Sequence, residues 1–94
     1  MIRQTVQVKN QLGLHARAAA KLVRLTSRYN SEIYLSRQGA KQQVDSKSIL
    51  GILMLAASPG TQLELSVCGQ DEKEASEAIV TLFEDRFGEE GVSK

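Results

Sequence analysis

The chain opens on an alternation. Ile2, Gln4, Val6 and Val8 fall on one side and Arg3, Thr5, Gln7 and Lys9 on the other, a period of two that predicts a half-buried strand. Asn10-Gln11-Leu12-Gly13 interrupts the pattern with turn-forming residues. From Ala16 the period lengthens: Ala19, Leu22, Val23 and Thr26 share one face opposite charged residues, which predicts a helix to about Tyr29. Glu32 to Ser36 alternates again with Ile33 and Leu35 inward. Gln38-Gly39 supplies a hairpin turn, and Ala40, Gln42 and Val44 return as a third strand. Lys47 to Ala57 has few polar residues and reads as a short helical segment that Ser46 or Ser48 can cap, stopped by Ser58-Pro59-Gly60. Leu63, Leu65 and Val67 mark a fourth strand. Asp71-Glu72-Lys73-Glu74 then has the form of a capping box, with acids at the positive end of the dipole. Ala75, Ala78, Ile79, Leu82, Phe83 and Phe87 recur after it at helical spacing.

The predicted order is βαββαβα. Each strand is apolar on one face only, which calls for an antiparallel sheet with one face covered. The expected class is α/β, more strictly α+β: an open-faced sandwich of a four-stranded antiparallel sheet with three helices on one face. Ninety-four residues bury one core, so residues 1–88 are read as one domain and 89–94 as a short polar tail, expected to fray.

Composition narrows the function classes. A net charge of +1 leaves no excess to track the phosphates of a nucleic acid. No apolar run approaches the ~18 residues of a membrane span, and the N-terminus lacks the apolar stretch of a secretory signal, so a cytoplasmic location without membrane insertion is expected. Cys68 has no second cysteine to pair with and is read as a small packing residue.

The one histidine lies where a strand-to-helix turn becomes the first turn of a helix, in Leu12-Gly13-Leu14-His15-Ala16-Arg17. The leading amides of a helix are unpaired and its dipole places roughly half a positive charge there. That end attracts phosphate and disfavours a protonated imidazole, leaving a ring nitrogen free as a nucleophile. The backbone of Ala16, Arg17 and Ala18 is the candidate phosphate cradle, with Arg17 adding forked hydrogen bonds and Gly13 permitting close backbone approach. Position alone leaves open an ordinary cap or a solvated surface histidine.

Two further features are independent of it. Ile49, Leu50, Ile52, Leu53, Met54 and Leu55 make the short helix apolar around most of its circumference, more than a two-layer fold can cover, which points to a protein contact. Arg17, Lys21, Arg24 and Arg28 step by four, three and four residues into a basic stripe that would steer an acidic partner.

Leu12-Gly13-Leu14-His15-Ala16-Arg17-Ala18-Ala19-Ala20 resembles the active-centre motif of the HPr family, the histidine phosphocarriers of the bacterial phosphotransferase system. Lys47-Ser48-Ile49-Leu50-Gly51 resembles the family's second motif, around its regulatory serine. The resemblance covers essentially the whole chain and implies the following. His15 would be phosphorylated on Nδ1, and Arg17 would contact the phosphoryl group. Ser48 would be the regulatory position, with Ser46 a nearby decoy and a serine kinase a conditional partner. Enzyme I, the donor, and enzyme IIA, the acceptor, would dock on Ile49, Leu50 and Leu53 with Arg24 at the margin. The expected unit is a monomer with no cofactor and no metal, a carrier rather than a turnover enzyme. Many members have proline where this chain has Ala18. Its loss costs about 0.4–1 kcal/mol in unfolded-chain freedom where the geometry suits proline. With the Asp85-Arg86-Phe87-Gly88-Glu89-Glu90 ending, Ala18 looks more like nitrogen-branch members than sugar-transport ones.

The residues themselves favour no enzyme, since one histidine offers no base–orienter constellation. A single His and a single Cys cannot close a metal site. The remaining alternative is a regulatory binding module whose phosphorylation state controls docking to target proteins.

Overall fold

A computed structural model describes residues 1–89. Four strands, β1 (Ile2–Gln7), β2 (Glu32–Arg37), β3 (Val44–Asp45) and β4 (Gln62–Cys68), form one antiparallel sheet in the order β1-β4-β2-β3. Three helices, α1 (Ala16–Thr26), α2 (Ile49–Met54) and α3 (Glu72–Glu84), alternate with them, and a 3-10 turn at Arg86–Gly88 follows. This is the expected antiparallel α+β sandwich.

Strand parity builds the core. Val6 pairs with Leu63, Leu35 with Leu65, and Val67 lies between Ile2 and Ile33. These side chains, with Ile2 only partly buried at the margin, meet Leu22 of α1, Ile52 of α2 and Ile79 and Phe83 of α3 in one buried cluster. The same parity corrects the reading of Cys68: with Leu63, Leu65 and Val67 inward, position 68 points out, and its thiol is exposed. Gln4, grouped with the inward set, is also exposed.

Three boundaries differ from those predicted. The third strand was expected from Ala40, but pairing begins only at Val44, opposite Leu35, and residues 40–43 are exposed. Polar alternation there mimics a strand without a ladder to join. The capping box is not formed: Asp71 is the N-cap of α3 but makes no side-chain cap bond. Its carboxylate instead accepts hydrogen bonds from the Asn30 and Ser31 amides and the Ser31 hydroxyl, tying the α1–β2 loop to α3. Phe87 reaches the core without continuing α3. Arg86, Phe87 and Gly88 take positive φ of 54°, 56° and 71°, turning the chain left-handed and seating Phe87, fully buried, edge-on to Phe83 at 4.9 Å between ring centroids. Residues 90–94 of the predicted tail lie outside the described residues.

Candidate functional site

After β1 the chain turns at Asn10–Gly13, where Gly13 donates to the Asn10 carbonyl at 3.2 Å with φ +70°. Glycine is required here for packing. A Cβ on residue 13 would stand 2.6 Å from the Ala57 carbonyl oxygen, so the close approach it permits is to the segment after α2. Leu14 then donates to that same oxygen at 2.9 Å, which fixes the entry to α1.

His15 is the N-cap of α1, extended in backbone, and its side chain makes no capping bond. The first helical bond is from the Ala19 amide to the His15 carbonyl at 2.8 Å, so the amides of Ala16, Arg17 and Ala18 lie ahead of it at the positive end of the helix. Ala18 is buried against the core, while Ala16 and Arg17 are exposed. The imidazole keeps 27% of its side-chain surface exposed. The structure thus brings His15, Arg17 and the three leading amides to one place.

It also brings a residue that sequence reasoning assigned to the tail. Glu89 Oε2 lies 2.5 Å from His15 Nε2, and Oε1 accepts from Asn10 Nδ2 at 2.9 Å. Asn10 is fully buried and its amide also donates to the Gly13 carbonyl at 2.8 Å, joining turn and carboxylate. Burial pushes the Glu89 carboxyl up, but the hydrogen bonds from Asn10 and His15, with the charges of His15 and Arg17, hold it below the ordinary glutamate value. Nothing local in the sequence points to Glu89. Asn10 carried a weak signal as a turn residue close before the histidine.

The second motif lies on α2. Ser48 is its N-cap, accepting from the Gly51 amide at 3.2 Å, whereas Ser46 is fully buried and its hydroxyl has no hydrogen-bond partner among the described residues. Ile52 and Leu55 enter the core while Ile49, Leu50, Leu53 and Met54 stay exposed, Leu50 to 66%. Leu12, in the turn before His15, is exposed as well. The basic stripe is shorter than its spacing suggests. Arg17, Arg24 and Arg28 are exposed, but Lys21 turns back to donate to the Phe87 carbonyl at 2.6 Å.

Among the described residues no helix is long and apolar enough to cross a membrane. A family profile described as "PTS HPr component phosphorylation site" matches residues 2–85. The phosphocarrier protein HPr of Cupriavidus necator is 46% identical over 89 residues, covering 95% of this chain and 98% of its own. The phosphocarrier protein NPr of Escherichia coli is 36% identical, covering 95% and 98%. Among solved structures, HPr-C-His from Thermoanaerobacter tengcongensis superposes with a TM-score of 0.90 at 43% identity, covering 96% of this chain and 99% of its own. An HPr dimer from the same organism superposes at 0.74, also with 43% identity, covering 95% and 100%. Motif, fold and relatives agree over nearly the whole length, and the chain belongs to the HPr family of phosphocarrier proteins of the phosphotransferase system.

Proposed function

We propose that this chain takes a phosphoryl group from phosphorylated enzyme I onto Nδ1 of His15 and passes it to an enzyme IIA. The observation that carries the reading is the state of His15. It caps α1 by position without spending its ring on the helix amides, and it stands beside Arg17 and the leading amides of Ala16, Arg17 and Ala18. A phosphoryl group on such a ring is stabilised by amide donors and a guanidinium together. The chain then works as a cytoplasmic, monomeric carrier, consumed and regenerated in stoichiometric transfers rather than turning over substrate.

The docking surface is the exposed apolar side of α2, Ile49, Leu50 and Leu53, to which the exposed Arg24 of α1 adds a charged contact. Desolvation of that patch supplies affinity, and the arginines steer an acidic partner. Ser48 is the regulatory position, half-buried at the start of α2, where a serine kinase would place charge at the edge of the patch. Ala18 and the chain ending lean towards the nitrogen branch, and discharge to a nitrogen-type against a sugar-type enzyme IIA decides it.

The test of the carrier role is direct. Incubated with enzyme I and phosphoenolpyruvate, the protein is expected to gain one acid-labile, base-stable phosphoryl group, and His15→Ala none. Persistent acid-labile labelling of His15→Ala would overturn the assignment. A charged protein that binds targets but never discharges to an enzyme IIA would favour the regulatory module instead.

A further inference from the structure

We infer that Glu89 is the positioning residue of the site: its carboxylate holds the proton of His15 on Nε2 throughout the phosphoryl cycle, leaving Nδ1 as the nucleophile. The inference rests on the carrier reading above and assigns a role to a residue outside both sequence motifs. A carboxylate only accepts, so a 2.5 Å contact with Nε2 requires the proton between them to reside on the ring. The ring nitrogen left over is Nδ1, which makes no cap bond.

The carboxylate is placed by structure. Phe87, fully buried against Phe83, anchors the segment, and the Lys21 ammonium clamps the Phe87 carbonyl. Three successive left-handed residues, Arg86, Phe87 and Gly88, turn the chain back towards α1. The Gly88 and Glu89 amides close that turn on the Asp85 and Arg86 carbonyls. Asn10 Nδ2 then fixes the second carboxylate oxygen, so Glu89 bridges the turn before His15 and the ring itself. The side chain is only 11% exposed. A merely solvated tail glutamate has no need of such an arrangement.

The chemistry balances without moving a ring proton. On charging, the Nδ1 lone pair forms the N–P bond as the donor's bond to phosphorus breaks and its electron pair leaves with the donor. The ring then bears phosphorus on Nδ1 and hydrogen on Nε2, and the positive charge it acquires lies against the Glu89 carboxylate. On discharge the N–P pair returns to Nδ1 as the acceptor's lone pair bonds phosphorus, and Nε2 keeps its hydrogen. Arg17 stays free for the phosphoryl oxygens while Glu89 neutralises the opposite edge of the ring.

The experiment compares wild type, Glu89→Gln and Glu89→Ala in two readouts. The first is the 15N shifts of the His15 ring near neutral pH, the second the rate of charging by phosphoramidate, a small phosphoryl donor that requires no docking. Wild type is expected to show a protonated Nε2 and an unprotonated Nδ1. Both variants should shift towards an averaged ring and charge about tenfold more slowly, the difference between a charge-assisted and a neutral hydrogen bond. Equal thermal midpoints would place the effect on the ring rather than the fold. Unchanged ring shifts in both variants would overturn the inference, and so would changed shifts with unchanged charging. Failure of wild type to accept a phosphoryl group from enzyme I would overturn the carrier reading, while the ring shifts and phosphoramidate rates would still decide the role of Glu89.

Discussion

At His15 the decisive facts are local and electrostatic. The residue is the N-cap of α1 with an uncommitted Nδ1, and Arg17 stands exposed two positions on. A guanidinium that contacts a phosphoryl group makes a charge-assisted hydrogen bond worth roughly 1.5–3 kcal/mol. Arg17→Ala is therefore expected to slow charging by enzyme I about tenfold to a hundredfold, with the thermal midpoint unchanged, because the side chain is exposed. An unchanged transfer rate in the folded variant would remove that role. The two serines separate by burial. Ser48→Asp adds an anion at a helix start that welcomes one, so the fold should persist while enzyme I charges His15 more slowly. Ser46→Asp puts a carboxylate where a fully buried hydroxyl now sits with no partner among the described residues, so it should lower the melting temperature sharply. Equal inhibition by both aspartates in stable proteins would refute the distinction.

Among the elements, α2 is the one whose sequence and environment disagree. It is six residues long, too short to stand alone, and apolar on nearly every side. Its stability comes from outside: Ser48 caps one end, Ile52 and Leu55 anchor it, and Arg37 of β2 donates to the Leu55 and Ala56 carbonyls at 3.1 and 2.9 Å at the other. The remaining face, Ile49, Leu50, Leu53 and Met54, contributes nothing to the core. Leu50→Glu should accordingly leave the midpoint within about 0.5 kcal/mol of wild type, as exposed substitutions do, and weaken binding of enzyme I. Isothermal titration and thermal melts on the same sample check this. A large loss of stability with normal binding would show Leu50 to be a core residue.

For the molecule as a whole, carboxylates tie distant parts of the chain together. Asp71 joins α3 to the α1–β2 loop, Glu72 accepts from the Gly69 amide and faces the N-terminal ammonium, and Glu89 joins the chain ending to the turn before α1. The Ser31 hydroxyl and the Asn30 amide lower the Asp71 carboxyl, and the Gly69 amide lowers that of Glu72. Glu89 is lowered too, its hydrogen bonds outweighing burial. A carboxyl depressed in the folded state stabilises above its unfolded value and loses that contribution as pH falls through the folded one. Stability should therefore hold near neutrality and decline as pH drops from the ordinary values of 3.8 and 4.5 downward. Asp71→Asn should flatten that decline in an acid titration followed by circular dichroism; an unchanged acid limb would discount Asp71. The same long-range ties mark where the sequence stops being legible. Strand and helix faces, the Ser48 cap, the helix-start histidine and the exposed side of α2 are all written in periods of two and 3.6 or in adjacent residues, because they depend on backbone geometry that repeats locally. The short β3, the diversion of Asp71 from its own helix, the return of Lys21 to Phe87 and the arrival of Glu89 at His15 are not. Each depends on which segments, up to 74 residues apart, the closed core holds within hydrogen-bond reach, and only the folded chain decides that distance.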